Sequence, residues 1–350
     1  MLAKTPKPFA LPPELQRTCD LAINDGSKSF MTASLLLPPD TRCAARALYA
    51  FCRNADDLID DAFDPQESLE LLRNRLSVIY STQKPVEACD QAFAILVKHF
   101  DIPRHLPDAL IEGFAWDAAG KRYETLEDLK GYAARVASTV GVMMTLVMGQ
   151  RDAATLARAA DLGLAMQLTN IARDVGEDAL NARVYLPLKW LSGDEHDLPL
   201  YLERGGETEN IRRATQRLLT EADILYKRAL TGIAELPFGC RIAITSAGLI
   251  YRAIGDEVAR NRFDSITRRA HTSTTKKLFL VGLACLKTSL TRRCDTAPPD
   301  PATRFLTEPC IKSMPQRVHG LDAKAARMLE LIALSEMRRR ENHERSGLNA

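Results

Sequence analysis

The sequence predicts an all-α protein built around a single large helical domain. Apolar residues recur at helical spacing over long segments. The alternating β-branched runs with Asn-Gly or Asp-Gly turns that mark β-hairpins are missing from the sequence. Prolines separate the helical segments, and the main ones are Pro12, Pro13, Pro38, Pro39, Pro103, Pro107, Pro187, Pro199 and Pro237.

Five helices show the clearest periodicity. They are predicted at residues 67–80, 127–149, 152–180, 209–234 and 240–260. In the first of them, Leu69, Leu72 and Leu76 fall on one face, which is typical of a helix that buries one side. Because similar patterns fill much of the chain, we expect roughly ten or more helices in total.

The helical domain is predicted to follow a short tail and to precede a linker. The predicted regions are an N-terminal tail at 1–13, the helical domain at 14–293, a Pro-containing linker at 294–320, and a C-terminal amphipathic helix with a tail at 321–350. The linker prediction depends on the run Cys294-Asp295-Thr296-Ala297-Pro298-Pro299-Asp300-Pro301. The last helix is predicted from Leu321, Met328 and Ile332, which recur with heptad-like spacing.

Composition argues against several classes of protein. The 350 residues carry a formal net charge of +2, so the overall charge does not suggest a nucleic-acid partner. The eight cysteines form no C-x-x-C pair, and free thiols in a reducing compartment are expected. The N-terminus lacks the apolar core of a secretion signal, and no run of about 20 apolar residues is present to span a membrane. We therefore expect a cytoplasmic protein that is not secreted.

The longest apolar run covers residues 278–286. Lys276 and Lys277 precede it, and Lys287 follows it. This pattern fits a core helix with basic ends, and it also fits a helix that lies on a membrane surface. Both interpretations remain open at this point.

Two acidic pairs with the same four-residue spacing lie far apart in the chain. At about 100° per residue, four side chains of the first region share an arc of about 60° on one helix. We call them the first acidic stripe: Tyr49, Arg53, Asp56 and Asp60. Asp57 and Asp61 lie just beside this arc, so the spacing allows either aspartate pair, while the shared arc favours Asp56 and Asp60.

The second pair belongs to a similar polar stripe on an otherwise apolar helix. Its members share an arc of about 80°. We call them the second acidic stripe: Gln167, Asn170, Asp174 and Asp178. Like charges four residues apart repel each other by roughly 0.2–0.5 kcal/mol per pair, so two such stripes indicate a cation that offsets the repulsion.

The oxygen ligands of the two stripes suit Mg²⁺, with Mn²⁺ as an alternative. Magnesium takes a few carboxylates, several waters and phosphate oxygens, so two facing stripes could hold several ions against one diphosphate. Arg53 and Arg173 could bind the same phosphates. No Gly-x-Gly-x-x-Gly segment opens a βαβ unit, so no nicotinamide cofactor is expected.

At these residues the chain resembles the squalene/phytoene synthase family. The family pattern Tyr-Ala-x-Cys-Arg followed by Asp-x-x-x-Asp matches residues 49–60, and Gln-Leu-Thr-Asn-Ile-x-Arg-Asp-x-x-x-Asp matches residues 167–178. Shorter matches occur at residues 27–30, 122–128, 132–137, 139–141 and 184–187. The resemblance covers about residues 14–290, and its details are most similar to the bacterial phytoene synthases of the family.

The resemblance implies an isoprenoid-synthase fold with a central cavity between the two acidic helices. It implies a prenyltransferase that condenses two geranylgeranyl diphosphates head to head, through prephytoene diphosphate, to phytoene. One alternative is the use of farnesyl diphosphate to make presqualene diphosphate or dehydrosqualene. A second alternative is a non-catalytic helical scaffold of a membrane-associated pathway. The expected partners are prenyl diphosphate, membrane lipid at the periphery and downstream carotenoid enzymes, but no nucleic acid.

The resemblance also implies roles for individual residues. The catalytic residues would be Asp56, Asp60, Asp174, Asp178 and Tyr251. The metal ligands would be Asp56, Asp60, Asn170, Asp174 and Asp178. The substrate-binding residues would be Ser27, Ser29, Phe30, Tyr49, Arg53, Gln167, Asn170, Arg173 and Arg268. Arg269 is the alternative to Arg268, and the tunnel residues would be Met143, Met144, Leu146, Val147 and Met148.

The chain departs from the family pattern at three places. Asp57 stands where many relatives carry Glu. Ser138 stands where relatives usually have Gly, so a helix contact is expected to differ. Asn181, Ala182 and Arg183 replace a Gly-Arg step, which is expected to alter a loop over the site.

Overall fold

The structure, a computed structural model, describes residues 8–26, 28–60, 62–206, 208–290 and 294–311, without the side chains of residues 25–30 and 289–290. Within these residues the chain forms α-helices, short 3₁₀ segments and one π-helical turn, and it forms no β-strand. The predicted all-α class is therefore confirmed. In chain order the α-helices are α1 (Pro13–Gly26), α2 (Lys28–Leu35), α3 (Pro39–Asp60), α4 (Pro65–Ile79), α5 (Ala88–Phe100), α6 (His105–Ala118), α7 (Leu126–Ala133), α8 (Thr139–Val147), α9 (Ala153–Leu180), α10 (Leu198–Glu203), α11 (Glu209–Ala229), α12 (Phe238–Arg260), α13 (Thr274–Leu290) and α14 (Arg304–Thr307).

Local signals explain where several of these helices begin. The Asp64 carboxylate accepts hydrogen bonds from the backbone N–H groups of residues 66 and 67, and Pro65 opens α4. Thr125 and Asp128 form a reciprocal capping box at the start of α7. Asp152 caps α9 in the same way as Asp64 caps α4. The boundaries therefore lie within a few residues of those that the periodicity predicts.

The helix predicted at 127–149 is interrupted. A π-helical turn, Ala134–Ser138, separates α7 from α8. Ser138 donates a hydrogen bond of 2.7 Å to the carbonyl oxygen of Ala160 on α9. A Cβ atom on Gly163 would lie 2.5 Å from the Cα atom of Ser138, so only glycine permits this close approach of the two backbones. The turn thus lies directly against α9, which a straight amphipathic pattern does not reveal.

Helix α9 runs through the middle of the helical body. Leu156, Leu164 and Leu168 are fully buried along its length, and α9 packs against α8, α11 and α12. Each buried leucine stabilises the folded state by roughly 1.5–3 kcal/mol relative to an exposed one. The second acidic stripe is therefore carried by a helix whose position is fixed by packing on several sides.

The chain after α13 differs from the prediction. Residues 294–311, which were predicted as part of a linker, pack on the helical body, where Leu306 and Cys310 are buried in the main core. The compact body that contains them ends at Ile311. Residues 312–320 and the predicted C-terminal helix at 321–350 lie outside the described residues. Arg158 and Arg228 donate hydrogen bonds to the carbonyl groups of Asp295 and Pro298. We call the packed segment 294–311 the strap.

Part of the predicted N-terminal tail packs on the helical body. Helix α1 begins at Pro13, and Phe9 before it is buried against His99 and Phe100 of α5, with ring centroids 5.3 Å apart in both pairs. Residues 1–7 lie outside the described residues. A single aromatic residue thus joins part of the predicted tail to the core.

Candidate active site

A mostly apolar cavity of about 340 Å³ lies between the helices that carry the two acidic stripes. Its α9 wall runs from Thr155 to Asn170, which corresponds to about 22 Å at 1.5 Å per residue. The polar end is formed by side chains from α3, α9 and α12: Tyr49, Cys52, Gln167, Asn170 and Tyr251. The predicted central cavity is therefore present, and both stripes contribute side chains to it.

Two of the predicted tunnel residues line this cavity. Met144 and Met148 contact it, together with Val136 and Val140 of the neighbouring turns. Met143, Leu146 and Val147 are instead buried in the core on other sides of α8. Only some residues of a short apolar helical segment can face a cavity, because successive side chains are rotated by about 100° around the helix.

The first acidic stripe carries two carboxylates in different surroundings. Desolvation raises the pKa of Asp56 to about 6, and the neighbouring charge of Asp60 adds to the effect. Asp60 forms an ion pair with Arg183, in which Oδ1 of Asp60 lies 2.6 Å from Nη2 of Arg183. The guanidinium of Arg53 lies 2.6 Å from Asp57 and 3.5 Å from Asp56. Asp57 and Asp60 thus each have an arginine partner at 2.6 Å, and the choice of Asp56 and Asp60 as metal ligands stays a prediction; Asp61 lies outside the described residues.

In the second acidic stripe, two arginines hold Asp174. Asp174 accepts a 2.7 Å hydrogen bond from Nε of Arg173 and a 2.9 Å bond from Nε of Arg269. Desolvation raises the pKa of Asp178 to about 7, and the charge of Asp174 contributes. Arg269 also contacts Glu177 at 2.9 Å.

The choice between Arg268 and Arg269 depended on this geometry. Both side chains are exposed, and Arg269 is the one that contacts Asp174. The choice of Arg268 is therefore not supported by the contacts. Adjacent positions on a chain do not show by their spacing which side chain reaches the site.

Asp117 of α6 is a site residue that the sequence predictions missed. It accepts hydrogen bonds from the hydroxyl groups of Tyr132, at 2.7 Å, and Tyr185, at 2.8 Å. Burial raises the pKa of Asp117, although these two hydrogen bonds lower it. Its charge acts on both Asp56 and Asp178, so it lies between the two stripes. The signal in the sequence is the segment Gly113-Phe114-Ala115-Trp116-Asp117, which resembles the bacterial phytoene synthases but indicates no role for Asp117.

The tyrosines at the polar end are un-ionised donors. Burial raises the pKa of Tyr251 to about 12, against the opposing charge of Arg173. Burial also raises the pKa of Tyr49. Both phenols therefore keep their protons at neutral pH and offer hydroxyl groups at the end of an apolar cavity.

The residues present fit a divalent cation of the magnesium type. Oδ1 of Asn170 is buried at the polar end and has no hydrogen-bond partner, which suits a metal ligand. Among the described residues, no three carboxylate, imidazole or thiol side chains converge closely enough to enclose an ion by themselves. Magnesium does not require this, because it keeps several waters and takes phosphate oxygens from a substrate.

Three predicted substrate-binding residues are not described. Ser27 lies outside the described residues, and the side chains of Ser29 and Phe30 do so as well. Their assignment stays a prediction. Of the other predicted site residues, the cavity is lined by Tyr49, Gln167, Asn170 and Tyr251. The four aspartates, Arg53 and Arg173 lie farther along α3 and α9, outside the lining, and their roles stay predictions.

Metal affinity should depend on pH in the range where Asp178 ionises. A carboxylate must lose its proton to bind a metal, and the raised pKa of about 7 makes Asp178 mostly protonated at pH 6. We expect calorimetric Mn²⁺ affinity to be roughly tenfold higher at pH 8 than at pH 6. Asp178→Asn should lose most of this dependence. An affinity of the unmodified chain that does not change with pH would contradict the assignment.

Comparisons with known proteins agree with this geometry. The family model described as squalene/phytoene synthase matches residues 23–276. Phytoene synthase of Rhodobacter capsulatus is 46% identical over 314 residues, which cover 89% of this chain and 90% of that protein. Phytoene synthase of Cereibacter sphaeroides is 46% identical over 316 residues, which cover 85% of this chain and 88% of that protein.

Solved structures show the same fold. A dehydrosqualene synthase in complex with a ligand superposes with a TM-score of 0.69 at 29% identity, over 79% of this chain and 98% of that one. A squalene synthase from Alicyclobacillus acidocaldarius gives a TM-score of 0.64 at 22% identity, over 72% and 97% of the two chains. With a matching family model, two acidic stripes at the polar end of an apolar cavity and relatives at 46% identity, the chain belongs to the squalene/phytoene synthase family.

Proposed function

We propose that this chain is a phytoene synthase, a prenyltransferase that condenses two geranylgeranyl diphosphates to phytoene. The observation that carries the proposal is the long apolar cavity whose polar end is lined by Tyr49 of the first acidic stripe and by Gln167 and Asn170 of the second. The stripe carboxylates lie farther along the same helices, so a prenyl tail and its diphosphate would have separate places. The family implies diphosphate chemistry that depends on a divalent metal. Relatives named phytoene synthase, at 46% identity over most of the chain, support the choice of product.

We propose the following roles at the diphosphate end. Asp56 and Asp60 of one stripe, and Asn170, Asp174 and Asp178 of the other, would hold Mg²⁺. When bound, Mg²⁺ stabilises the negative charge that develops as a diphosphate leaves. The side chains that would bind phosphate oxygens directly are Arg53, Arg173 and Arg269, the last in place of Arg268, with Gln167 close to them.

The apolar wall has a chemical task of its own. Two diphosphates and two protons leave in the reaction, one of each when prephytoene diphosphate forms and one of each when it rearranges to phytoene. Each departure leaves an electron-deficient carbon skeleton that water would trap. Met144, Met148 and Leu162 surround the prenyl tail with apolar atoms and exclude water from it. The hydroxyl groups of Tyr49 and Tyr251 orient the substrate at the polar end.

The length of the cavity bears on the prenyl chain. An α9 wall of about four turns, roughly 22 Å, favours the longer geranylgeranyl tail over farnesyl. The farnesyl alternative is kept because a dehydrosqualene synthase shares the fold at 29% identity.

An enzyme assay with both substrates tests the proposed function. Purified protein should be incubated with Mg²⁺, detergent and either geranylgeranyl or farnesyl diphosphate. We expect phytoene from geranylgeranyl diphosphate at a higher rate than any product from farnesyl diphosphate; the reverse order would overturn the choice of substrate. Absence of any product would favour the non-catalytic scaffold.

We also propose that α13 rests on a membrane surface. Among the described residues, no helix combines the length and the apolarity that crossing a bilayer requires. One side of α13 packs on α12 through Leu280 and Ala284, while Leu278, Phe279 and Leu286 are about two-thirds exposed. The lysines at both ends of this helix suit anionic lipid. Such a position would deliver an apolar product to lipid and to downstream carotenoid enzymes.

The membrane proposal predicts a loss of lipid binding without a loss of fold. The double variant Phe279→Glu/Leu286→Glu places two charges on the exposed side of α13, so binding to vesicles that contain anionic lipid should fall about tenfold or more in a flotation assay. Val86→Glu, at another exposed apolar position, serves as the matched control and should bind normally. Equal vesicle binding by the double variant and the control would exclude this surface.

A further inference from the structure

Arg183 connects carboxylates on three helices. Its Nη2 atom lies 2.6 Å from Oδ1 of Asp60, at the end of α3. Its charge also lowers the pKa of Asp178 on α9 and of Asp117 on α6, which places the guanidinium near both. The sequence indicates only that Arg183 belongs to a loop over the site, and it predicts no role for the side chain.

The turn after α9 sets this position. The N–H of Arg183 donates to the carbonyl oxygen of Asp178, at 2.8 Å, and the N–H of Ala182 donates to that of Ala179, at 3.0 Å. These two bonds form a Schellman motif, which ends a helix with one left-handed residue. Ala182 has a φ of 56° there, where glycine is usual. The backbone therefore accepts an unfavourable conformation at the residue that immediately precedes Arg183.

The ion pair itself adds little to stability. The side chains of Arg183 and Asp60 are 35% and 45% exposed, and exposed pairs contribute about 0–1 kcal/mol. A guanidinium among three carboxylates instead changes what those carboxylates bind. It competes with a metal ion for Asp60, and its planar set of donors matches the oxygens of a diphosphate.

We propose that Arg183 exchanges partners during substrate binding, from Asp60 to the diphosphate of the substrate, as a divalent metal takes Asp60. The proposal rests on the proposed function, since the diphosphate belongs to the prenyl substrate. Arg183 thereby weakens metal binding when no diphosphate is present and strengthens the binding of metal and diphosphate together. The two ligands are then coupled through one side chain, and each favours the binding of the other.

The test compares two binding constants in Arg183→Gln. Calorimetry with Mn²⁺ alone should give an affinity about three- to tenfold tighter than in the unmodified chain, because one positive charge near the metal is removed. Calorimetry with inorganic diphosphate at saturating Mg²⁺ should give an affinity weaker by a similar factor. Arg183→Lys keeps the charge and should return the Mn²⁺ affinity most of the way to its original value. A purely structural role would weaken both affinities or change neither.

Arg213→Gln is the matched control, because Arg213 pairs with Glu209 on the surface of α11. It should leave both affinities unchanged. An Mn²⁺ affinity in Arg183→Gln that is unchanged or weaker overturns the proposal, and so does an unchanged diphosphate affinity. Neither measurement requires turnover. Failure of the proposed function would instead appear as a lack of phytoene from the unmodified chain while the opposite shifts in binding persist.

Discussion

Asp174→Asn should lower the rate of phytoene formation by at least about a hundred- to a thousandfold, because it removes charge at the point where diphosphate charge must be offset. Asp174 accepts hydrogen bonds from Arg173 and Arg269 and shares a stripe with Asp178. The amide keeps the size of the side chain, so we expect the thermal unfolding midpoint to change by only a few degrees. Initial rates with geranylgeranyl diphosphate and saturating Mg²⁺ measure the effect.

Asp108→Asn provides the control for this variant. Asp108 is also an aspartate paired with an arginine, but it lies on the exposed surface of α6 with Arg104. Its substitution should leave the rate unchanged. If Asp174→Asn retained more than half of the original rate, the assignment of the second acidic stripe to metal and diphosphate would be wrong.

Arg158→Leu should destabilise the folded protein by about 3–5 kcal/mol, because it leaves a buried carboxylate with too little compensation. Arg158 is 1% exposed, and its Nε lies 2.7 Å from Oδ2 of the fully buried Asp161. It also donates to the carbonyl oxygen of Asp295 at 2.8 Å and so holds the strap at 294–311. Arg228 would remain as a weaker partner, 3.3 Å from Asp161. Urea unfolding followed by circular dichroism measures the change.

The loss should depend on pH in a defined direction. Burial already raises the pKa of Asp161 to about 6, against the opposing charges of Arg158 and Arg228. Without Arg158 the carboxyl group should bind its proton more tightly in the folded state than in the unfolded state. Stability then falls as pH rises, so the loss should be larger at pH 8 than at pH 5.

A second substitution separates charge from packing. Arg158→Leu/Asp161→Leu removes both buried charges, and we expect it to recover part of the lost stability. A loss below about 1 kcal/mol in Arg158→Leu, or the same loss at pH 5 and pH 8, would show that Arg158 does not compensate the buried charge of Asp161.

The acidic stripes could be recognised in the sequence because a helix converts spacing into direction. Asp174 and Asp178 face the same way in any helix of this pitch, whatever surrounds them. The same reasoning favours Asp56 and Asp60 over Asp57 and Asp61, and this choice stays a prediction. The all-α class and the approximate helix boundaries follow from the same local rules of periodicity and capping.

Helical periodicity does not predict contacts between segments that are far apart in the sequence. Asp117 joins the site because Tyr132 and Tyr185, from two other parts of the chain, direct hydroxyl groups at it. Arg183 reaches Asp60 across 123 positions of sequence. The strap at 294–311 resembles a linker in composition, and the buried Arg158 of α9 and the partly exposed Arg228 of α11 donate hydrogen bonds to its carbonyl groups.

The amino-acid pattern is enough to show which residues share a helical face, and therefore that two carboxylate stripes with amide and phenol groups exist. The three-dimensional structure is needed to show which side chains meet near those stripes, including Asp117, Arg183 and Arg269. Helical periodicity is set by backbone geometry over a few residues, whereas ion pairs between helices depend on how all the helices pack. The length of the cavity belongs to the second class, because side chains from α2, α8, α9 and α12 close it together.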